Sequence, residues 1–367
     1  MALPIVQSLK QCADYDITVS PFLYQFATLP EAFFTSANKS AALKQLYLDT
    51  NPLITSVGFA FALAPVFLVV SEVNKNYSQV DRVWSILPTI YNLHYAVYSH
   101  LARVHTARLD ALLVISALWS SRLTYNYFRK GGYSIGSEDY RWAIVKEYVG
   151  PTLMFLFNVV FISLAQSLLL VSITTPAYLL LLTERLATYD GPIKSWNLVD
   201  TAASGVMLLL IAISFVADQQ QWDYHQAKAQ YQRTARVPHG WRRAELDRGF
   251  LTNGLFAYSR HPNFAAEQGV WVTLYLWSCL ATETAYNWSG LGAAAYLMLF
   301  QSSTWLTELL SARKYPEYKD YQTQVGKFLP IPGYTHPTFH HHHTQHANGS
   351  AAKEEDATKA RQRYDLR

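Results

Sequence analysis

Hydrophobic residues in this chain are gathered into long blocks that carry no charge. Five intervals contain no Lys, Arg, Asp or Glu, at 50–71, 83–102, 148–183, 201–217 and 284–307. A helix crosses the hydrocarbon core of a bilayer with about 20 mostly apolar residues, and a water-soluble domain rarely leaves such long runs uncharged. The pattern predicts an all-α, polytopic integral membrane protein.

Seven transmembrane helices are predicted: five from these blocks, and two, the third and the sixth, from apolar stretches that include a few charged residues. They cover about 52–71, the residues from Trp84 to about 100, 109–128, 149–173, 200–217, 264–282 and 288–306. Pro176 interrupts the run that follows the fourth helix. Residues 177–183 are therefore expected to form a re-entrant piece or a bent continuation.

Three regions follow from this pattern: an N-terminal arm (1–49), a transmembrane domain (50–332) and a disordered, charged tail (333–367). The arm is mixed and polar, which is typical of a peripheral segment. The tail contains His340, His341, His342 and His343. These residues could chelate a metal weakly, but a flexible polar tail explains them equally, and we expect no metal site.

Charge is concentrated outside the blocks and predicts the orientation. Of 56 charged residues, 26 lie in 218–260 and 313–367. Seven spans place seven Lys and Arg on the side of the arm and 22 on the other side. Because cytosolic loops are enriched in these residues, we expect 218–260 and the C-terminus in the cytosol, with the protein in the endoplasmic reticulum or another internal membrane.

Several common classes of protein find no support in the chain. The two cysteines, Cys12 and Cys279, provide neither a disulfide framework nor metal-ligand spacing. No basic stripe suggests nucleic acid as a partner, and no signal peptide is visible. The glycine-rich nucleotide loops and the hydrolase and zinc-protease motifs are also missing. The expected partners are the lipid bilayer and a lipophilic small molecule.

The segment 254–267 has the most unusual combination of side chains. Arg260, His261, Asn263 and Glu267 fall within eight residues at the edge of the sixth predicted span. Pro262 can begin a helix at its first turn and leave free backbone N–H groups, which favours an anion or phosphate pocket. The alternative is ordinary interfacial capping with a Glu–Arg pair.

Three further charged residues lie at predicted membrane boundaries. Asp218 follows 17 uncharged residues and either faces water or accepts a hydrogen bond from a ribose or amide. Arg122, inside the third span, either extends to the boundary or joins a site with Asp81. A charge within a span is costly unless it is paired or functional. The predicted topology brings Asp81, Arg122 and Asp218 near one membrane face, together with Arg260 and Glu267.

The motifs together resemble the steroid 5-alpha-reductase-like membrane family. The resemblance is closest to a branch of fungal and bacterial members known as a domain of unknown function. It rests on the following segments: Asp81-Arg82-Val83-Trp84, Leu118-Trp119-Ser120-Ser121-Arg122-Leu123, Glu138-Asp139-Tyr140-Arg141-Trp142, Ala217-Asp218-Gln219-Gln220, Ser259-Arg260-His261-Pro262-Asn263-Phe264 with Glu267, and Glu308 with 315–330. They span about 250 residues in the order that the family has.

The resemblance implies an NADPH-dependent reductase that reduces a conjugated C=C in a lipid or steroid-like enone. NADPH would enter from the cytosol, and the substrate would enter laterally from the membrane. The implied catalytic residues are Arg122, Tyr125 and Asp81. The implied cofactor-binding residues are Asp218, Tyr258, Arg260, His261, Asn263, Glu267 and Tyr321.

One position departs from the family pattern. Steroid reductases carry a Tyr-x-x-Arg pair whose Tyr polarises the substrate carbonyl, and here Trp119 occupies the place of that Tyr. An indole N–H donates a hydrogen bond but does not deliver a proton at neutral pH. The acid must then come from another group, such as Tyr125, or from water.

Two other classes of function remain open. Arg260-His261-Pro262-x-Phe264 is also similar to an element of isoprenylcysteine carboxyl and phospholipid methyltransferases, which use S-adenosylmethionine, and Glu308 with the Tyr-rich tail fits them too. Asp218 and the Asn263…Glu267 pair favour the reductase. A non-catalytic lipid- or sterol-binding protein is the third possibility, suggested by Trp119.

Overall fold

The computed structural model describes residues 2–189 and 196–331, together with Pro337. Helices account for 76% of the structure and no strand is formed in the described part, which confirms the all-α prediction. The predicted tail at 333–367 lies outside the described residues, apart from Pro337.

Sixteen α-helices follow one another along the described chain. Their bounds are α1 Leu9–Cys12, α2 Tyr15–Thr18, α3 Gln25–Ser36, α4 Ser40–Asp49, α5 Pro52–Asn74, α6 Gln79–Val83, α7 Leu87–Ala102, α8 Ala107–Arg129, α9 Tyr140–Phe157, α10 Gln166–Ser172, α11 Thr175–Tyr189, α12 Leu198–Thr234, α13 Arg243–Arg248, α14 Pro262–Ala281, α15 Gly290–Lys314 and α16 Tyr318–Gln324. A π-helix (Asn158–Ala165) joins α9 to α10, and 3₁₀ turns lie at Ser20–Phe22 and Gly254–Ala257.

Within the part of the chain that the structure describes, three helical segments are long and apolar enough to cross a membrane. They are Pro52–Asn74, Arg141–Thr188 and Leu198–Thr234, which contain the first, fourth and fifth predicted spans. The other four predicted spans correspond to α7, α8, α14 and α15, which pack against these segments. Those four helices are shorter or more polar: α7 has 16 residues, and α8 contains Arg108, Asp110, Arg122 and Arg129. Length and apolarity therefore confirm three of the seven predicted spans as able to cross a membrane.

Residues 177–183 form part of α11, a buried helix that begins anew after a turn at 173–174. Pro176 lies in its first turn, where a missing N–H costs nothing. Ala177 and all four residues of Leu179–Leu182 are fully buried. The helix lies beneath the arm, because Tyr178 donates to the Thr18 carbonyl at 2.7 Å. The interruption at Pro176 is thus a change of helix.

The N-terminal arm packs onto one end of the helix bundle. Leu3, Val6, Cys12 and Val19 are buried in the main core, and α1 contacts α11 while α3 and α4 contact α5. The arm therefore forms part of the folded protein, although its sequence is typical of a peripheral segment.

Two glycines permit the helix geometry on the side that includes α9 and α15. Gly150 has φ +73° within α9, in the left-handed region that other residues rarely adopt, and Pro151 follows it. A Cβ atom at Gly292 would lie 2.1 Å from the Ser172 carbonyl oxygen, so glycine is required where α15 crosses α10. These glycines explain the break in α9 and the close contact of α10 with α15.

Polar segments form a second layer at the end of the bundle opposite the arm. This outer layer comprises residues 218–261 and 315–331. The outer part of α12 packs Tyr224 and Ala227 against Leu246, Leu251 and Phe256. With 37 residues, α12 is about 55 Å long, well beyond the roughly 30 Å hydrocarbon thickness. One helix therefore passes from the apolar bundle into the outer layer.

Candidate functional site

A cavity of about 550 Å³ lies where the bundle meets the outer layer. Its walls come from α6, α8, α9, α10, α12, α14 and α15 and from the π-helix. The apolar wall is largely aromatic, with Trp84, Trp142, Phe157, Phe161, Phe264, Tyr296 and Phe300. The polar wall includes Asp81, Arg122, Asn126, Lys130, Asp218, Asn263 and Glu267. The size falls in the range of small-molecule sites.

Arg122 connects two acidic residues at the polar wall. Its Nη1 donates to Asp218 Oδ2 at 2.6 Å and its Nη2 donates to Glu267 Oε2 at 2.5 Å. Arg122, Asp218 and Glu267 are 8%, 4% and 5% exposed. Three predicted site residues from three helices are therefore in direct contact. Removing one member of such a buried group would leave an uncompensated charge, so the three side chains depend on one another.

Two neutral donors complete the coordination of Glu267. The Trp119 indole N–H donates to Oε1 at 2.7 Å, and the Tyr296 hydroxyl donates to the same atom at 3.0 Å. Trp119 and Arg122 share a face of α8 because they are three residues apart. Trp119 thus holds the glutamate from α8, while Tyr296 reaches the same atom from α15.

Asn263 joins the network through Asp218. Its side-chain amide donates to Asp218 Oδ1 at 3.1 Å, and both residues line the cavity. The Nε atom of Arg122 is buried and has no partner among the described residues. A buried donor of this kind is costly unless a ligand or water uses it. The polar wall can thus accept a ligand with neutral hydrogen-bonding groups.

Asp81 lies in the cavity wall on α6. Its Oδ2 accepts from the Trp142 indole N–H at 2.9 Å. Burial raises the pKa of Asp81 above its ordinary value, despite the opposing hydrogen bond from Trp142. The raised pKa favours the protonated form of Asp81 more than in an ordinary aspartate.

Arg260 and His261 form a separate network behind the cavity. Arg260 Nε donates to Glu308 Oε1 at 2.7 Å, and His261 Nε2 lies 2.9 Å from the same atom. Arg260 also donates to the carbonyl groups of Gln322 and Val325. The predicted anion pocket at this helix start is therefore filled by Glu308 and the chain at 322–327.

The charges around Glu308 determine its protonation. Burial raises the pKa of Glu308, but hydrogen bonds from His261 and Arg260 and their charges lower it more, to about 2. Glu308 is consequently ionised at neutral pH and attaches the segment after α15 to the start of α14. This network fastens the outer layer onto the bundle.

The three remaining predicted site residues lie outside the cavity. Tyr125 is 56% exposed and its ring contacts Arg129, because it is on the outer side of α8. Tyr258 is 47% exposed. Tyr321 is buried and donates to the Phe256 carbonyl at 2.5 Å. Tyr125 is therefore poorly placed as the acid, and Tyr321 has a packing role in this structure.

Among the cavity residues that sequence reasoning missed are Tyr296 and Trp142. Tyr296 is one of 25 tyrosines and lies in an uncharged block, so nothing local distinguishes it from a membrane-facing residue. Trp142 was part of a recognised motif, but its partner Asp81 is 61 residues away. Both roles depend on tertiary contacts.

A second buried ion network lies at the arm end of the bundle. Arg108 donates to Asp200 from Nε at 2.8 Å and from Nη2 at 3.2 Å. Its backbone N–H donates to Glu184 Oε1 at 3.3 Å, and the Trp277 indole donates to Asp200 at 2.7 Å. Arg108 directly precedes the third predicted span and is one of the seven Lys and Arg placed on the side of the arm. In the structure it is only 3% exposed. It is therefore a buried structural charge.

Comparisons with known proteins cover most of the chain. A family model described as "Protein of unknown function (DUF1295)" matches residues 67–325, which include every cavity residue. An uncharacterized protein of Schizosaccharomyces pombe, C594.04c, is 38% identical over 330 residues, covering 89% of this chain and 93% of the yeast protein. No solved structure matches. The chain therefore belongs to the DUF1295 family.

Proposed function

We propose that the protein is a membrane-embedded, NADPH-dependent reductase of a conjugated C=C in a lipid or steroid-like enone. The observation that carries this proposal is the cavity, whose aromatic wall meets the hydrogen-bonded network of Arg122, Asp218 and Glu267. A lipophilic substrate fits the aromatic part, and a water-soluble cofactor fits the polar part beside the outer layer.

The polar wall suits the neutral end of NADPH. Asp218 can accept from a ribose hydroxyl or a carboxamide, and Asn263 can both donate and accept. Lys130, which also lines the cavity, can neutralise a phosphate charge. When bound, NADPH supplies a hydride for the β carbon of the enone.

The remaining residues orient the substrate and manage the proton. To act on the substrate, the Tyr296 hydroxyl would exchange the hydrogen bond that it donates to Glu267 for one to the enone oxygen, where it would stabilise the enolate as charge develops. Asp81, with its raised pKa, gives a proton to the α carbon. The aromatic wall excludes water, which strengthens these interactions. In this scheme Tyr296 provides the hydroxyl that Trp119 cannot.

The proposal also includes a membrane topology. Seven helices, namely α5, α7, α8, the α9–α10 unit, α12, α14 and α15, cross an internal membrane such as that of the endoplasmic reticulum. The excess of Lys and Arg in and beside the outer layer supports a cytosolic position for that layer and for the C-terminus. NADPH would then reach the cavity from the cytosol.

One observation favours a methyltransferase as the second candidate. Arg260, His261 and Glu308 are in direct contact, and these are the residues that resemble the elements of membrane methyltransferases. They lie behind the cavity, however, whereas Asp218, Asn263 and Glu267 line it. S-adenosylmethionine is therefore the competing cofactor in the test, and a lipid-binding protein without a cofactor is the third outcome.

Cofactor titration separates the three classes. Purified protein in detergent is titrated with NADPH and, separately, with S-adenosylmethionine. We expect saturable binding of NADPH. Binding of S-adenosylmethionine alone would establish the methyltransferase class instead, and binding of neither would favour the non-catalytic class.

A matched pair of variants on α12 tests the site. Asp218→Asn should weaken NADPH binding about tenfold or more, because a hydrogen bond to a charged group is worth about 1.5–3 kcal/mol. Asp223→Asn changes the same residue type on an exposed part of the same helix and should leave the affinity unchanged. Equal affinities in both variants would remove Asp218 from the site.

A further inference from the structure

Helix α3 of the N-terminal arm has an apolar composition that is unusual for a peripheral segment. Residues 17–38 contain a single charged side chain, Glu31, between Asp16 and Lys39. Within them, α3 carries Phe26, Leu29, Phe33 and Phe34. With 12 residues it is about 18 Å long, too short to cross a bilayer.

One face of α3 packs on α5. The rings of Phe26 and Phe61 lie 6.3 Å apart, edge to face, and a Cβ atom at Gly58 would lie 3.4 Å from Leu29 Cδ2. Gln25 fixes the start of α3, since its side-chain oxygen accepts from the Asn51 backbone at 2.8 Å. Helix α3 is therefore held against the first third of α5.

These contacts indicate how deep α3 would lie in a bilayer that α5 crosses. Gly58 and Phe61 follow Pro52 by six and nine residues, which is about 9 and 14 Å along the helix axis. Helix α5 is one of the three segments able to cross a membrane, and the hydrocarbon core is about 30 Å thick. With α5 in place, α3 lies beside it within one leaflet.

The other face of α3 is apolar and uncovered. Phe34 is 76% exposed, Tyr24 65% and Phe33 52%. This surface continues onto the exposed face of α5, where Phe59 is 43% and Val66 52% exposed. An exposed apolar face along a membrane-spanning helix such as α5 faces the acyl chains of the lipid. Helix α3 extends this surface to the side of α5.

We propose that α3 is an interfacial helix, inserted among the acyl chains of the leaflet on the arm side, with the bilayer as its partner. Glu31 gives the helix a polar edge for the headgroups, as in other helices that lie in a membrane interface. The arm thereby attaches the arm end of the bundle to the lipid, in addition to its packing on α11. This role is independent of the reductase chemistry.

Accessibility of a nitroxide label in lipid nanodiscs tests the insertion. Phe34→Cys carries the label, with Val69→Cys on the exposed face of α5 as the lipid control and Gln230→Cys on the exposed outer part of α12 as the aqueous control. The native Cys12 and Cys279 are buried, and unsubstituted protein shows the background labelling. Collision rates with oxygen and with a water-soluble nickel complex are measured.

We expect the label at position 34 to match the label at 69: at least severalfold more accessible to oxygen than to nickel, relative to the label at 230. A nickel accessibility equal to that at 230 would place α3 in water and overturn the proposal. Low accessibility to both reagents would mean that protein, such as a second copy of the chain, covers the face, and would also overturn it. All three substitutions are at exposed positions, so they leave the core intact.

Discussion

The two ends of the bundle contain ion networks of the same composition but different surroundings. At the cavity, Arg122 contacts Asp218 and Glu267, and Trp119 donates to the glutamate. At the arm end, Arg108 contacts Asp200 and Glu184, and Trp277 donates to the aspartate. Each network has one arginine, two acids and one indole.

The two networks differ in the hydrogen-bond partners of the arginine and in whether the network borders a cavity. All the guanidinium nitrogens of Arg108 donate to protein groups, under a cover formed by the arm and α11. Arg122 retains an unpartnered Nε beside a cavity. Burial and pairing of charge alone therefore do not identify a functional site. The useful criterion is a paired network that borders space for a ligand.

The largest expected effect concerns the contribution of the Arg108 network, at the arm end of the bundle, to the free energy of unfolding. Arg108→Met removes the cation between Asp200 and Glu184, which leaves buried acids unpaired, and we expect a loss of about 3–5 kcal/mol. Denaturant unfolding in detergent measures it. Arg243→Met is the control, because Arg243 forms an exposed pair with Asp247 worth under about 1 kcal/mol. Similar losses in both variants would mean that the network around Arg108 contributes little to stability.

A second effect concerns the network at Glu308 and its pH dependence. The folded pKa of Glu308, about 2, lies below its ordinary value of 4.5. The folded protein thus binds the proton more weakly, and the carboxylate stabilises it above pH 4.5 by roughly 3 kcal/mol. This contribution is lost as the pH falls from about 4.5 towards 2.

The test of that effect is Glu308→Gln, which should lower the unfolding free energy at pH 7 and flatten its decline in acid. Glu317→Gln serves as the control, since Glu317 pairs with Arg248 at a more exposed position. If the pH profile of the Glu308 variant keeps the slope of the parent protein, the carboxylate has no such role.

The matched indoles compare the two networks directly. Trp277→Phe should lower stability by about 2 kcal/mol, the value of a hydrogen bond to a charged group, and leave NADPH affinity unchanged. Trp119→Phe should weaken NADPH binding severalfold, because Glu267 then reorients within the cavity wall. Thermal unfolding and cofactor titration of both variants supply the comparison. If both variants changed stability and NADPH affinity by the same amounts, the two networks would not differ in function as proposed.

A further effect, on the rate of reduction, is expected from Tyr296→Phe. The variant keeps the ring and loses the hydroxyl that donates to Glu267. We expect enone reduction to slow about tenfold, or roughly 1.4 kcal/mol in the barrier, with NADPH affinity retained. Tyr125→Phe, on the exposed side of α8, is the control. A slower Tyr125 variant with an unaffected Tyr296 variant would reverse the assignment of the hydroxyl.

Much of the cavity network was predictable because its residues interrupt apolar blocks. Asp218 directly follows such a block, whereas Arg122 and Glu267 lie within the third and sixth predicted spans. Helical spacing puts Asn263 and Glu267 on one face. A charge in that position requires a partner, and the partners proved to be one another. The all-α class follows from the same blocks.

Other features depend on contacts that no local pattern encodes. Arg260 and His261 seemed suited to a ligand, but Glu308, 47 and 48 residues away, occupies them. Tyr296 has no distinguishing neighbour in its block. Charge counting also treated Arg108 as a loop residue, because the covering arm is remote in sequence. Long-range packing decided each of these cases.

The length of α12 has a consequence for which changes the chain can tolerate. Asp218 is the twentieth residue after Leu198, so it lies about 30 Å along a helix without interruption. One inserted or deleted residue in that stretch would rotate Asp218 by about 100° and shift it by 1.5 Å relative to Arg122. The same change would turn Tyr224 and the rest of the outer layer with it. Substitutions in 198–218 are thus tolerable wherever the side chain faces outward, whereas a change in the number of residues would separate the acid from its arginine.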